Sequence, residues 1–160
     1  MHIRRATASD WRAIRKIRLA SLAAAPTAFA STLEREQEFS DQTWAHRAEA
    51  HPVFLALGGD EVVGTATAYD DPETEHDAMW LVAMYVAPAA RGTGCAHLLI
   101  DAVVDAARSR GASRLLLYVT DVNPVAERCY RRYGFLATGR RLPLPHRPEI
   151  TEIEMVLVLG

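Results

Sequence analysis

Cysteine is scarce in this chain: Cys95 and Cys129 are the only two, and no metal-ligand spacing relates them. Both fall in segments whose pattern predicts helix, so they read as reduced core or helix-face thiols, not as a disulfide staple or a metal centre. Surplus charge is missing as well. A formal net charge of −2 over 160 residues gives no global electrostatic case for nucleic acid or an anionic membrane surface as a partner. No hydrophobic run approaches membrane-spanning length, and the opening MHIRRATASD lacks the apolar stretch of a signal peptide, so the expected location is the cytoplasm. Repeats and low-complexity tracts are absent. A nucleotide P-loop, Gly-x-x-x-x-Gly-Lys-Ser/Thr, does not occur, and a dinucleotide fingerprint fails because His97 stands where a third glycine would follow Gly92 and Gly94.

What is present is an ordinary globular composition, 49% hydrophobic and 24% charged, long enough to bury a sizeable core and expected to form one domain over residues 1–160. The stretch Leu81 to Ile100, LVAMYVAPAARGTGCAHLLI, organises it. Met79 to Val86 is an unbroken apolar run that suits a strand buried on both faces, and Pro88 ends it. Gly92 and Gly94 then let the backbone approach a ligand where a Cβ would intrude. A helix follows from about Gly94 to Ser109, with Gly111 closing it. Its first amides, around Gly94, Cys95 and Ala96, have no intrahelical partner and stand at the positive end of the helix dipole. That combination predicts a phosphate or pyrophosphate site.

Around this stretch the chain reads as alternating elements. His2 to Ala6 is a short strand, Ser9 or Asp10 can cap a helix running to about Ala25, and Ser40-Asp41 opens another helix through Trp44. Trp44 reads as a core anchor or as a neighbour of a substrate cleft. Val53–Leu57 and Val62–Tyr69 should pair as an antiparallel hairpin across Gly58-Gly59-Asp60-Glu61. Residues 70–77 are strongly acidic and broken by proline, which suits either a solvated loop or a fringe that attracts a cationic amine. Leu115–Thr120 completes a strand–helix–strand unit, a parallel crossover. Asn123-Pro124 then caps a helix through Tyr133, and Gly134 ends it. A proline-punctuated loop with Pro143, Pro145 and Pro148 is expected before a terminal strand at Glu152–Leu159.

Two motifs carry a family resemblance. Arg91-Gly92-Thr93-Gly94-Cys95-Ala96 fits Arg/Gln-x-x-Gly-x-Gly/Ala, and Asn123 to Phe135 fits Asn-x-x-Ala-x-x-x-Tyr-x-x-x-Gly-Phe, through Asn123, Ala126, Tyr130, Gly134 and Phe135. In both, and in their order, the chain resembles the GCN5-related N-acetyltransferases, the GNAT superfamily. The resemblance runs from about Ile3 to the end in element order and is specific over Leu81–Phe135. It implies an α/β fold of the mixed α+β kind: a mostly antiparallel central sheet with a parallel β-α-β crossover at the cofactor site, flanked by helices.

The implied activity is acetyl transfer from acetyl-CoA to a primary amine of a small molecule or peptide, by direct attack in a ternary complex and without a metal. Amides of Gly92, Thr93, Gly94, Cys95 and Ala96, with Arg91 beside them, would cradle the pyrophosphate, and the backbone of Met84, Tyr85 and Val86 would hold the pantetheine arm. Tyr130 takes the position of the general acid that protonates the departing thiolate. Asn123 orients the pantetheine or a water, caps its helix, or does both. The strand carboxylate that some family members use is missing from Met79–Val86 and from Leu115–Thr120, where Tyr118 occupies one place at which a Glu stands in some relatives. The base is therefore open among Glu152, Glu154, His76, Asp77 and a water chain. Two further readings stand beside the enzyme, a non-catalytic acyl-CoA-binding module and an acyltransferase with a larger donor. A homodimer is compatible with the apolar last strand.

Overall fold

The computed structural model describes residues Met1–Gly160. Strands β1 (His2–Arg5), β2 (Val53–Gly58), β3 (Glu61–Tyr69), β4 (Ala78–Val86), β5 (Arg114–Thr120), β6 (Leu136–Leu144) and β7 (Arg147–Val158) form one sheet in the order β1-β2-β3-β4-β5-β7-β6. Every neighbouring pair is antiparallel except β4 and β5, which run parallel. The helices are α1 (Trp11–Ala24), α2 (Leu33–Gln37), α3 (Asp41–Ala50), α4 (Cys95–Ser109) and α5 (Pro124–Tyr133). None is long and apolar enough to cross a membrane.

Each face of the sheet has its own core. On one, Leu99, Ile100, Val103 and Val104 of α4 pack on Ala56, Ala66, Met79, Leu81 and Leu115, a helical apolar stripe laid on a pleated surface. On the other, Ile14 and Ile17 of α1 and Trp44 and Ala48 of α3 cover Val53, Leu55 and Tyr85. Trp44 is fully buried, which makes it a core anchor and not a cleft residue. Gly64 sets the fit of α4, because a Cβ there would stand 3.1 Å from Leu99 Cδ1 and 3.2 Å from Cys95 Sγ.

Strand β4 changes faces part-way along. Met79 and Leu81 point into the α4 core, whereas Tyr85 points into the α1 and α3 core, although all three are odd-numbered. The switch comes from a bulge: Thr67 pairs with Val82 and Thr65 with Tyr85, so one residue of β3 opposes two of β4. Ala83 in the bulge has φ of 54°, the one residue other than glycine at positive φ. The same strand parts from β5 early. Their pairing covers Ala78 to Trp80 against Arg114 to Leu116, and beyond that point the two strands diverge.

Three local features differ from what the sequence pattern suggests. The expected proline-rich loop is a long hairpin, with Pro143 inside β6 opposite Thr151 and Pro148 inside β7. Proline is tolerated in β6 because β6 is the sheet edge, where a missing N–H breaks no ladder. At the start of α1, neither Ser9 nor Asp10 caps the helix with its side chain. The Asp10 carboxylate instead accepts from the Thr7 N–H at 2.8 Å and from Nη1 and Nη2 of Arg4 at 2.9 and 2.8 Å. The acidic segment lies at the far end of the α4 crossover, where Asp70 pairs with Arg110 and both Glu75 and Asp77 pair with Arg114.

Candidate active site

The gap left where β4 and β5 diverge is a cavity of about 280 Å³. Trp80 to Met84 form one wall, Tyr118, Val119 and Thr120 the other, and Asn123, Ala126 and Tyr130 of α5 close one side. Phe29 covers it from the α1–α2 connection, held there by His146 of the β6–β7 turn, whose Nε2 donates to the Phe29 carbonyl at 2.7 Å. Past Trp80, the edge of β4 that faced β5 has no strand partner, which leaves backbone groups available to a guest.

A second depression, of about 480 Å³, lies further along β4 and beside α5. Val86, Arg91, Gly92, Gly94, Cys95, Ala96 and His97 line it, with Val125, Cys129 and Tyr133 opposite. From Gly92 to His97 no backbone amide has an acceptor within the chain; the first that does is Leu98, which donates to Gly94 at 3.1 Å. Gly92 and Gly94 have φ of 76° and 86°. A Cβ on either would meet nothing within 4 Å, so the chain itself leaves them room. Their left-handed backbone is what calls for glycine at both positions. Arg91 is tied back, its Nε donating to the Val86 carbonyl at 3.1 Å, and the Thr93 hydroxyl donates to the Ala90 carbonyl at 2.5 Å. The Cys95 thiol is buried in the core and burial pushes its pKa up, so only its amide belongs to this surface.

Tyr130 is 9% exposed, and its hydroxyl has no hydrogen-bond partner in the chain. Burial holds its phenol well above the ordinary value, with the Cys129 thiol a smaller contribution in the same direction. It therefore carries its proton at any working pH. Asn123 caps α5, its Oδ1 accepting the Ala126 N–H at 3.2 Å, and its side chain also lines the cavity. Met84 lines the first cavity and Val86 the second, whereas Tyr85 turns its ring into the α1 and α3 core and contributes backbone alone.

Among the carboxylates that sequence reasoning left open, the fold separates one from the rest. Glu152, opposite Thr120 on β7, lines the cavity, and burial raises its pKa against a weaker opposing pull from His146. Both oxygens of Glu154 are engaged, accepting from Tyr118 Oη at 3.2 Å and Thr138 Oγ1 at 3.0 Å. Asp77 is held by Arg114 and Ser113 at the opposite end of β4, and His76 is exposed there, outside both cavities.

Sequence reasoning missed Arg18, Phe29, Ser31, Trp80 and Thr120, all of which line the first cavity. Arg18 and Ser31 also line a third cavity of about 510 Å³ on the α1 and α3 side, joined to the first along Val82 and Ala83. No spacing signal could have found them, because segments far apart in sequence bring them together. No group of three His, Cys, Asp or Glu side chains is placed to hold a metal ion.

Comparison with known proteins agrees with this fold. The family model for the acetyltransferase (GNAT) family matches residues 11–135. A streptothricin acetyltransferase of Streptomyces lavendulae is 38% identical over 91 residues, 54% of this chain and 45% of that protein. N-acetyltransferase 8B of Homo sapiens is 31% identical over 106 residues, 64% of this chain and 47% of that one. The chain thus spans about half the length of the relatives it matches by sequence. Among solved structures, yncA of Salmonella typhimurium, an acetyltransferase described with its cofactor acetyl-CoA, superposes with a TM-score of 0.83 at 22% identity, over 100% of this chain and 94% of that one.

Proposed function

The chain belongs to the acetyltransferase (GNAT) family, and from that premise we propose that it transfers the acetyl group of acetyl-CoA to a primary amine by direct attack in a ternary complex. The run of acceptor-less amides from Gly92 to His97, opening onto the cleft where β4 and β5 part, carries this reading. Six consecutive N–H groups at the positive end of α4 are a costly arrangement in isolation and a natural one for a diphosphate. The bound state that is homologous in fold, yncA with acetyl-CoA, and the name N-acetyltransferase 8B of a relative support the donor and the amine acceptor respectively.

Acetyl-CoA supplies an acyl thioester, activated toward an amine. The chain's residues supply the rest. Amides of Gly92 to Ala96 bind the diphosphate, and Arg91 adds charge nearby. Unpaired backbone groups of β4 between Trp80 and Val86 align the pantetheine, and an amide of this edge donates to the acyl oxygen as negative charge grows on it. Asn123 fixes the start of α5, which positions Tyr130. Tyr130 holds the proton that the departing thiolate needs, and its lack of a partner in the chain leaves its hydroxyl free to face that sulfur. Glu152, directly or through water, accepts the proton that the amine gives up; its raised pKa brings a carboxylate nearer to that task. The test is release of free thiol from acetyl-CoA across a panel of amines, with acetyl-CoA stabilisation of the fold measured alongside.

A further inference from the structure

The third cavity differs from the other two in charge. Three guanidinium groups line it, those of Arg18, Arg35 and Arg47, against the single carboxylate of Glu36. Glu36 is 1% exposed and serves two of them. Arg18 Nε and Nη2 donate to its two oxygens at 3.1 and 3.0 Å, and Arg47 Nη2 donates to Oε1 at 2.9 Å. Burial pushes the Glu36 carboxyl up, but the two guanidiniums outweigh it and leave the group below its ordinary value. Glu36 is thus ionised, and one buried carboxylate answers two guanidiniums, that of Arg18 largely covered and that of Arg47 about a third exposed.

One positive charge is therefore left over, and so is a donor. Arg18 Nη1 is buried with no acceptor in the chain. A guanidinium offers five N–H groups in a fixed fork, and a buried one left partly unpaired is expensive. The arrangement cannot relax easily, because both cations are pinned on aromatic faces. Arg18 lies 4.8 Å from the Phe29 ring centroid, and Arg47 lies 4.6 Å from that of Trp44 and 5.3 Å from that of Phe39. Burial holds Arg47 below its ordinary value, and the Arg18 charge adds to that effect.

This surplus stands beside the reaction centre. Arg18, Ser31, Val82 and Ala83 line both this cavity and the one that holds Tyr130, and Ala83 is the bulge residue between them. A volume of about 510 Å³ suits one small molecule that reaches from the cation to the bulge. We propose that Arg18, supported by Arg47, binds a carboxylate on the acceptor, so that the enzyme acetylates small amines that carry a carboxylate, amino acids as a class, in preference to polycationic amines. The proposal rests on the acetyl-transfer reading above. Phe29 and Glu36 are positioning residues in it, holding the guanidinium at the wall that the two cavities share.

The experiment compares L-amino acids with their carboxamides and their decarboxylated amines, using acetyl-CoA as donor. For the wild type, kcat/KM is expected to favour the acids by about tenfold or more, the scale of one charge-assisted hydrogen bond. Arg18→Gln should erase that ratio through KM, and Arg18→Lys should restore part of it. Should Arg18→Gln misfold, the wild-type ratio and the milder Arg47→Gln decide the matter. Carboxamides or decarboxylated amines used as well as the acids overturn the proposal, as does an acid preference that Arg18→Gln leaves intact. Stabilisation by acetyl-CoA is read separately on the wild type. If it is present while no acid is acetylated, the anion subsite alone is wrong; if it is absent, the coenzyme reading falls and takes this inference with it.

Discussion

Trp80, in the last paired rung of β4 and β5, stacks on Tyr118, two residues past that rung on β5, with ring centroids 5.0 Å apart and planes 20° from parallel. The pair acts as a wedge between two parallel strands. Trp80 is anchored from behind, its Nε1 donating to Thr74 Oγ1 at 2.9 Å, and Tyr118 donates to Glu154 across to β7. Trp80→Leu is expected to lower stability by about 2 kcal/mol and to weaken acetyl-CoA binding, because the cleft loses its wall. Tyr118→Phe keeps the ring and loses only the hydroxyl, so its coenzyme affinity should stay near wild type. Denaturant unfolding and calorimetric titration of both variants check this; equal loss of affinity in the two would show that the stack does not shape the cleft.

Tyr130 makes the second prediction. Since its hydroxyl has no partner in the chain, Tyr130→Phe should leave stability unchanged or slightly raised. Turnover should fall by about a hundredfold, with the dissociation constant for acetyl-CoA little altered. Single-turnover kinetics beside direct binding separates these quantities. A variant that binds the coenzyme much more weakly and turns over normally once saturated would assign Tyr130 to packing.

Glu152 yields a prediction about pH. Its folded pKa is raised by burial from the ordinary 4.5, so between the two values the native state binds more protons than the unfolded chain. Stability therefore falls as pH rises through that window, and the wild type carries the full penalty above it. Glu152→Gln should raise Tm by about 1–4 °C at neutral pH, with the gain vanishing toward pH 4. In the proposed role of proton acceptor, its loss should also lower kcat/KM and flatten the acid limb of the pH profile. A stable variant with an unchanged acid limb would leave Glu152 as a buried carboxylate with no part in the chemistry.

The sequence made the cofactor-side elements legible because their signals are local. Gly92 and Gly94 before a helical stripe, and Asn123, Tyr130 and Gly134 at helical spacing, each depend on neighbours a few residues away. The β4 bulge was not legible for a definite reason. In LVAMYV every residue is apolar, so the switch of faces at Ala83 leaves no break in the pattern. The β6–β7 hairpin was hidden by Pro143 and Pro148: Pro143 is tolerated because β6 is the sheet edge, and Pro148 precedes the part of β7 that pairs with β5, both tertiary facts. Arg18, Glu36 and Arg47 meet across three helices, and nothing in RKIR or LEREQ marks one member of each string as buried. Glu152 differs from Glu154 only by where β7 lies against the cavity, a distinction of register that alternation alone does not supply.

The most direct test of the whole account is the thermal shift produced by acetyl-CoA in the wild type and in Gly94→Asp. A Cβ at Gly94 meets nothing in the chain, so the variant's own cost is that of a left-handed aspartate, about 1–2 kcal/mol, and it should still fold. The new carboxylate would stand among the amides proposed to bind the diphosphate. Saturating acetyl-CoA should stabilise the wild type by several degrees and leave folded Gly94→Asp almost unmoved. Equal stabilisation of both proteins, or none of the wild type, would contradict the claim that the Gly92–His97 amides are a diphosphate site.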